Sequence, residues 1–232
     1  MTIMIQAEGL SKQFVLHTQA GTVIPVFDDL DFQVSAGECV VLGGPSGSGK
    51  STLLRALYAN YRLQAGSIKI RHRGAMVDIA SAPPWLVLAL RRDAIGFVSQ
   101  FLRAIPRVAA IDVVAEPLRA RGVDEAGARA RAAELLTRLR IPAPLWGLAP
   151  ATFSGGEQQR INIARGLISC QPILLLDEPT ASLDRENRQI VIDLIGETKA
   201  RGTAVVGIFH DAEVRRAVGD RQFDLAPFQR GH

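Results

Sequence analysis

Cysteine is scarce. The 232 residues contain two, Cys39 and Cys170, too few and too far apart for a disulfide framework. Lysine is nearly as rare. Only Lys12, Lys50, Lys69 and Lys199 stand among 27 basic residues, so arginine carries the positive charge, and it is spread along the chain rather than gathered in a tail. A net charge of +4 distributed in this way gives little warrant for nucleic-acid binding, and none is expected. The opening Met-Thr-Ile-Met-Ile-Gln-Ala-Glu lacks a basic region followed by an apolar run, so no signal peptide is indicated and a reducing, cytoplasmic setting is expected. No apolar run reaches the roughly 18 residues that a membrane span needs. The longest candidate, 82–90, contains Pro83 and Pro84 and stops at Arg91 and Arg92, so direct membrane insertion is not expected. Internal repeats and low-complexity tracts are missing too.

Apolar residues, by contrast, make up 47% of the chain, enough for a sizeable core in one α/β unit. Met4–Glu8 and Val23–Val34 alternate apolar and polar residues, which predicts half-buried antiparallel strands joined by a turn at Gln19-Ala20-Gly21. Cys39-Val40-Val41-Leu42 is apolar throughout, as a strand covered on both faces must be, and leads through a glycine-rich turn into a helical pattern over Lys50–Ala59. Ile95–Val98, Ile173–Leu176 and Val205–Ile208 are further such runs, with helices predicted over Arg185–Ala200 and Ala212–Val218 after the last two. Parallel strands with crossover helices fit best. From Phe101 to Ala164 no strand is evident. Asp124–Leu139, rich in Ala, Leu, Arg and Glu, predicts a helix whose arginines suit a solvated face. A mostly helical insert in an α/β core is the simplest account.

Gly44-Pro45-Ser46-Gly47-Ser48-Gly49-Lys50-Ser51, followed by Thr52, matches G-x-x-x-x-G-K-[ST] directly after an apolar strand and at the head of a helix. Glycines let backbone amides curl around a β-phosphate, and the helix points its positive end at it. Lys50 bridges β- and γ-phosphates, while Ser51 offers a hydroxyl to Mg²⁺. The metal also needs an acid from a neighbouring strand. Ile173-Leu174-Leu175-Leu176-Asp177-Glu178 supplies it: Asp177 is placed to hold the Mg²⁺ water shell, and Glu178 projects past the strand end, where it can polarise an attacking water. Two adjacent carboxylates after a wholly apolar strand would make a poor structural element alone, because a buried unpaired charge is costly.

The run Thr152-Phe153-Ser154-Gly155-Gly156-Glu157-Gln158-Gln159-Arg160 resembles the signature of the ATP-binding-cassette (ABC) ATPases, usually Leu-Ser-Gly-Gly-Gln followed by a basic helix. The resemblance covers essentially the whole chain. In family order it includes an aromatic A-loop position at Phe14, a Q-loop at Gln100, a D-loop at Ser182-Leu183-Asp184 and a switch histidine at His210. It implies an α/β fold, the P-loop NTPase (RecA-like) nucleotide-binding domain with an antiparallel β subdomain and an inserted α-helical subdomain. The whole of 1–232 would be one domain, with 1–100 and 165–232 forming the core and 101–164 the helical subdomain that carries the signature.

The same resemblance implies ATP and Mg²⁺ as cofactors. Phe14 would stack on adenine, Glu178 would be the general base, Gln100 would contact Mg²⁺ and the water, His210 would hold the γ-phosphate, and Asp184 would lie at the nucleotide. Ser154, Gly155, Gly156 and Glu157 would clamp an ATP held by a second cassette, so the active unit would be a dimer. Phe153, Glu157 and Phe14 depart from the commonest family residues; Phe14 keeps the ring and lacks the tyrosine hydroxyl. Within the family, 37–42, 53–61, 98–108, 145–153 and 207–211 are similar to the cassette proteins of the bacterial carbon-phosphorus lyase system. That implies partnership with the lyase core complex of phosphonate catabolism and with a second cassette. The alternative is the ATPase subunit of a membrane transporter of lipoprotein-release or macrolide-export type, whose pattern 92–98 shares. Cassettes of DNA repair or translation would need a long coiled-coil insertion or two cassettes in one chain. Under either of the first two readings Phe101, Leu102, Ile105 and Pro106 would form the partner surface.

Overall fold

The alternation at the start of the chain becomes a long antiparallel ribbon in the computed structural model, which describes residues 2–16, 21–102 and 106–229. β1 (Ile3–Leu16) and β2 (Thr22–Ser35) pair from Ile3 opposite Ser35 to Leu16 opposite Thr22. Gln19 and Ala20 of the expected turn lie outside the described residues, as does Ile105 of the expected partner surface. Next come β3 (Cys39–Gly43), α1 (Lys50–Leu57), β4 (Ala65–His72), β5 (Ala75–Asp78), α2 (Pro84–Asp93) and β6 (Ile95–Val98). The helices α3 (Ala110–Arg119), α4 (Glu125–Arg138) and α5 (Gly155–Leu167) follow. The chain closes with β7 (Ile173–Asp177), α6 (Arg185–Ala200), β8 (Ala204–Ile208), α7 (Ala212–Val218) and β9 (Arg221–Asp224). An antiparallel sheet has the order β2-β1-β4-β5, and a parallel one the order β6-β7-β8-β3-β9.

The inner parallel strands are apolar at every position but the last of β7, Asp177, because each of their faces meets a different core. Val40, Leu42, Ile173, Leu175, Val206 and Ile208 share a cluster with Ile5, Leu10, Leu30, Ile68 and Ile70 of the antiparallel sheet and with Leu53, Leu54 and Leu57 of α1. Cys39, Val41, Leu174, Leu176 and Val205 belong to the other cluster, with α3 to α6. The period of two along a strand thus divides one apolar run between two layers. β3 and β7 end on the same side of the sheet, which brings the turn after Gly43 near Asp177.

Between Phe101 and Ala164 the described residues contain helices and no strand, as expected. α5 runs unbroken through 164 to Leu167, so a boundary at 164/165 falls inside a helix. Asp124 caps α4, its carboxylate accepting from the amide of Gly127 at 2.9 Å. The arginines of α4 do more than face solvent. Arg129 donates twice to Asp112 of α3, at 2.8 and 2.9 Å, and Arg138 donates twice to Glu197 of α6, at 3.0 and 2.6 Å. The run 82–90 forms most of α2, which begins on Pro84, where a missing N–H costs nothing. Its Trp85 and Leu88 are exposed. No helix among the described residues is long and apolar enough to cross a membrane.

Candidate functional site

The chain leaves β3 through a turn that only glycine permits. Gly44 and Gly49 have φ of 118° and 91°, where side chains are strained. Space forbids them as well: a Cβ on Gly49 would lie 2.6 Å from Cγ1 of Val26, and one on Gly44 would lie 2.6 Å from Oγ of Ser48. Lys50, the first residue of α1, bends back over the turn and donates to the carbonyls of Gly44 at 2.8 Å and Pro45 at 2.7 Å. The loop therefore presents a fixed ammonium beside the positive end of a helix, an arrangement suited to phosphate.

Ser51 donates to Oδ1 of Asp177 at 3.2 Å. Asp177 is 2% exposed, and burial pushes its carboxyl up, with the Ser51 hydroxyl and the Arg55 charge opposing. Its hydrogen bond is to a hydroxyl rather than to a basic group, which leaves a buried acid suited to a cation. Among the described residues no three His, Cys, Asp or Glu converge into a metal cage. One hydroxyl and one carboxylate leave most positions to phosphate oxygens and water, the ligand set that Mg²⁺ favours.

Glu178 follows at φ 53°, a backbone state costing a non-glycine residue about 1–3 kcal/mol. Its amide is held by the carbonyl of Ile208 at 3.1 Å. The carboxylate collects two residues from distant parts of the sequence: Gln100 donates to Oε2 at 3.4 Å, and Nε2 of His210 lies 2.6 Å from Oε1. Glu178, His210, Phe14 and most of the loop from Gly43 to Thr52 line one cleft of about 680 Å³, within the size range of small-molecule sites. At its apolar end, beside Ile24, Pro25 and Val26, stands Phe14. Its ring meets Tyr61 edge-on, with centroids 5.3 Å apart, and Lys12 Nζ lies 4.6 Å from its centroid. Lys12 is buried and donates to the carbonyl of Arg62 at 2.8 Å. Burial pushes its ammonium below the usual lysine range, against the opposing Tyr61.

Ser154 to Glu157 do not line this cleft. Ser154 caps α5: its hydroxyl accepts from the amide of Glu157 at 3.3 Å, and the Glu157 carboxylate accepts from the Ser154 amide at 2.9 Å and its hydroxyl at 2.7 Å. This is a closed capping box. Those bonds, the hydroxyl's first, hold the Glu157 carboxyl below the usual range. Gly155 stands open, with nothing within 4 Å of where a Cβ would be. Asp184 does not line the cleft either; it caps α6, accepting from the amide and side chain of Asn187, both at 2.8 Å.

Sequence reasoning passed over three residues that organise the site. Asn162 of α5 donates to the carbonyl of Ser99, next to Gln100, at 2.5 Å, and Gln159 of α5 donates to the carbonyl of Pro179, next to Glu178, at 3.1 Å. Both are buried, and a polar residue on the inward face of a helix is the signal that pointed to them. Arg215, on α7, lines the cleft.

Residues 27–181 match a family model described as ABC transporter. The chain is 37% identical over 227 residues to the lipoprotein-releasing system ATP-binding protein LolD of Bordetella avium, covering 96% of this chain and 93% of that one. It is 35% identical over 215 residues to the macrolide export ATP-binding/permease protein MacB of Sodalis glossinidius, covering 93% of this chain and 32% of MacB. It thus spans about a third of that relative. Among solved structures, it is similar to the dimeric post-hydrolysis state of the ATP-binding cassette MJ0796 bound to ADP and Pi, with a TM-score of 0.86 and 29% identity, covering 95% of this chain and 94% of that one. These relatives are named for transport rather than for carbon-phosphorus lyase, which reverses the order of the two expectations about partners.

Proposed function

Since this chain belongs to the ABC transporter family and is an ABC-type ATPase, we propose that it is the ATP-hydrolysing subunit of a membrane transporter, acting as one of a pair of cassettes. The observation that carries the reading is the convergence of Gln100 and His210 on Glu178 at the cleft built by the Gly44–Thr52 loop. In it Phe14 stacks on adenine, and Lys50 and the head of α1 neutralise the β- and γ-phosphates. Ser51, Asp177 and Gln100 would hold Mg²⁺, which would supply further charge neutralisation. Glu178 takes the proton of the attacking water, and His210 keeps its carboxylate oriented and meets the γ-phosphate.

The head of α5 faces outside its own cleft, so in this reading Ser154, Gly155 and Gly156 serve the nucleotide of a second cassette, with Asp184 alongside. The dimeric state of the MJ0796 cassettes supports the pairing of two cassettes. Ser154→Arg fills the open space at Gly155 and should abolish ATP-dependent dimerisation in light scattering while leaving the nucleotide affinity of the monomer nearly unchanged. A variant that dimerises on ATP like the parent removes the trans arrangement.

The names of the relatives support a permease as partner, as in the lipoprotein-releasing and macrolide-export proteins. The chain would then sit at the cytoplasmic face of a membrane. Phe101, 72% exposed and adjacent to Gln100, is where a partner would feel the state of the nucleotide. A second reading, an ATPase of the carbon-phosphorus lyase machinery, rests on the resemblance of 53–61, 98–108 and 207–211 to cassettes of that system. Affinity purification from the native cell separates the two: a polytopic subunit retained only in detergent supports the first, and lyase subunits retained without detergent support the second.

A further inference from the structure

His210 sits on the short loop between β8 and α7, and the residues on either side of it are pinned. Phe209 is 3% exposed, and Asp211 caps α7 while pairing with Arg188 of α6 at 2.5 Å. The imidazole itself projects from the protein, with 71% of its side chain accessible, so its place at Glu178 depends on the backbone that carries it. One guanidinium holds that backbone. Nη1 of Arg215, in the second turn of α7, donates to the carbonyl of Phe209 at 3.0 Å and to that of His210 at 2.7 Å. Both bonds fix the same short stretch, so the peptide between these residues cannot rotate without breaking them. The guanidinium also stands in the cleft wall with Glu178 and His210.

We propose that Arg215 is a positioning residue for ATP hydrolysis. It clamps the Phe209–His210 backbone so that the His210 imidazole stands at the Glu178 carboxylate. This inference rests on the ATPase reading above. Because Arg215 acts through His210, its effect must vanish when the imidazole is gone, which a merely structural contact would not do.

The test is ATP turnover by the full chain in its active assembly, comparing Arg215→Ala, Arg215→Lys, His210→Ala and the Arg215→Ala/His210→Ala double variant. Arg216→Ala is the control, since Arg216 lies on the same helix, donates to its own helix at Ala212 and does not line the cleft. Arg215→Ala should lower kcat by about 10-fold with little change in KM for ATP, Arg215→Lys should recover part of the loss, and Arg216→Ala should match the parent. In the His210→Ala background the Arg215 change should cost nothing further. Losses that multiply in the double variant, or an unchanged Arg215→Ala, overturn the inference while leaving the ATPase reading intact; a His210→Ala variant as fast as the parent overturns His210's role in that reading and the inference with it. The ¹⁵N resonances of the His210 imidazole in nucleotide-free protein provide a second readout that needs no turnover. They should shift in Arg215→Ala, or in Arg215→Lys if the alanine variant does not fold, and stay in place in Arg216→Ala; resonances unmoved in the Arg215 variant overturn the clamp.

Discussion

Glu178→Gln should bind ATP as the parent does and turn it over about 10²–10⁴-fold more slowly, the scale of lost general-base assistance. The amide keeps the shape of the carboxylate and still bonds to His210 and Gln100, which contact Glu178 at 2.6 and 3.4 Å. It cannot accept the proton of the water. The backbone at φ 53° tolerates glutamine as it does glutamate, so stability should hardly change. Single-turnover hydrolysis beside a binding titration separates the two effects, and the same variant should hold ATP-bound dimers long enough to isolate them. Turnover at the parental rate in the assembled protein would remove Glu178 from the role of base.

Lys50→Ala should fail at the earlier step. The ammonium spans the carbonyls of Gly44 and Pro45, so its loss takes a charged donor from each, although Pro45 keeps the Ser48 amide at 3.2 Å, and would leave the phosphates without their nearest cation. A hydrogen bond to a charged group contributes about 1.5–3 kcal/mol, hence an affinity for ATP lower by about 10–150-fold. Isothermal titration at saturating magnesium measures it directly. Dimerisation on ATP should disappear with the affinity. Parental affinity in this variant would mean that the triphosphate is held somewhere other than the loop.

Much of this architecture is legible in the sequence where burial or chemistry fixes residue types. β3, β7 and β8 stand out because both faces are covered and every position is apolar except Asp177 at the end of β7. The loop at Gly44–Ser51 and the pair Asp177-Glu178 stand out because phosphate and metal demand fixed types at fixed spacing. Elements at the margins are harder. β9, Arg221–Asp224, is an edge strand hydrogen-bonded to β3 alone and carries one apolar residue, Phe223. β4 alternates around Ile68 and Ile70, but over few residues. α3 carries Pro117 inside the helix, where a residue without an N–H argues against helix from sequence. α2 exposes Trp85 and Leu88, which blurs its period.

In the site, Gln100, Glu178 and His210 are brought together by strand ends that lie far apart in sequence, and the family pattern is what groups them. The capping roles of Ser154, Glu157 and Asp184 are visible as Ser-x-x-Glu and Asp-x-x-Asn at helix heads. Arg215 has no such mark, because clasping backbone carbonyls imposes no sequence pattern. The partner is the least legible of all, since an exposed Phe101 serves a permease and a lyase equally well.

The side chains of Asn162 and Gln159 tether one helix to the backbones beside Gln100 and Glu178. A tilt of α5 must therefore break both tethers or drag both loops along with it. If Gln100 and Glu178 serve hydrolysis as proposed, α5 would be their common support, and a load on the helical segment would reach both of them together.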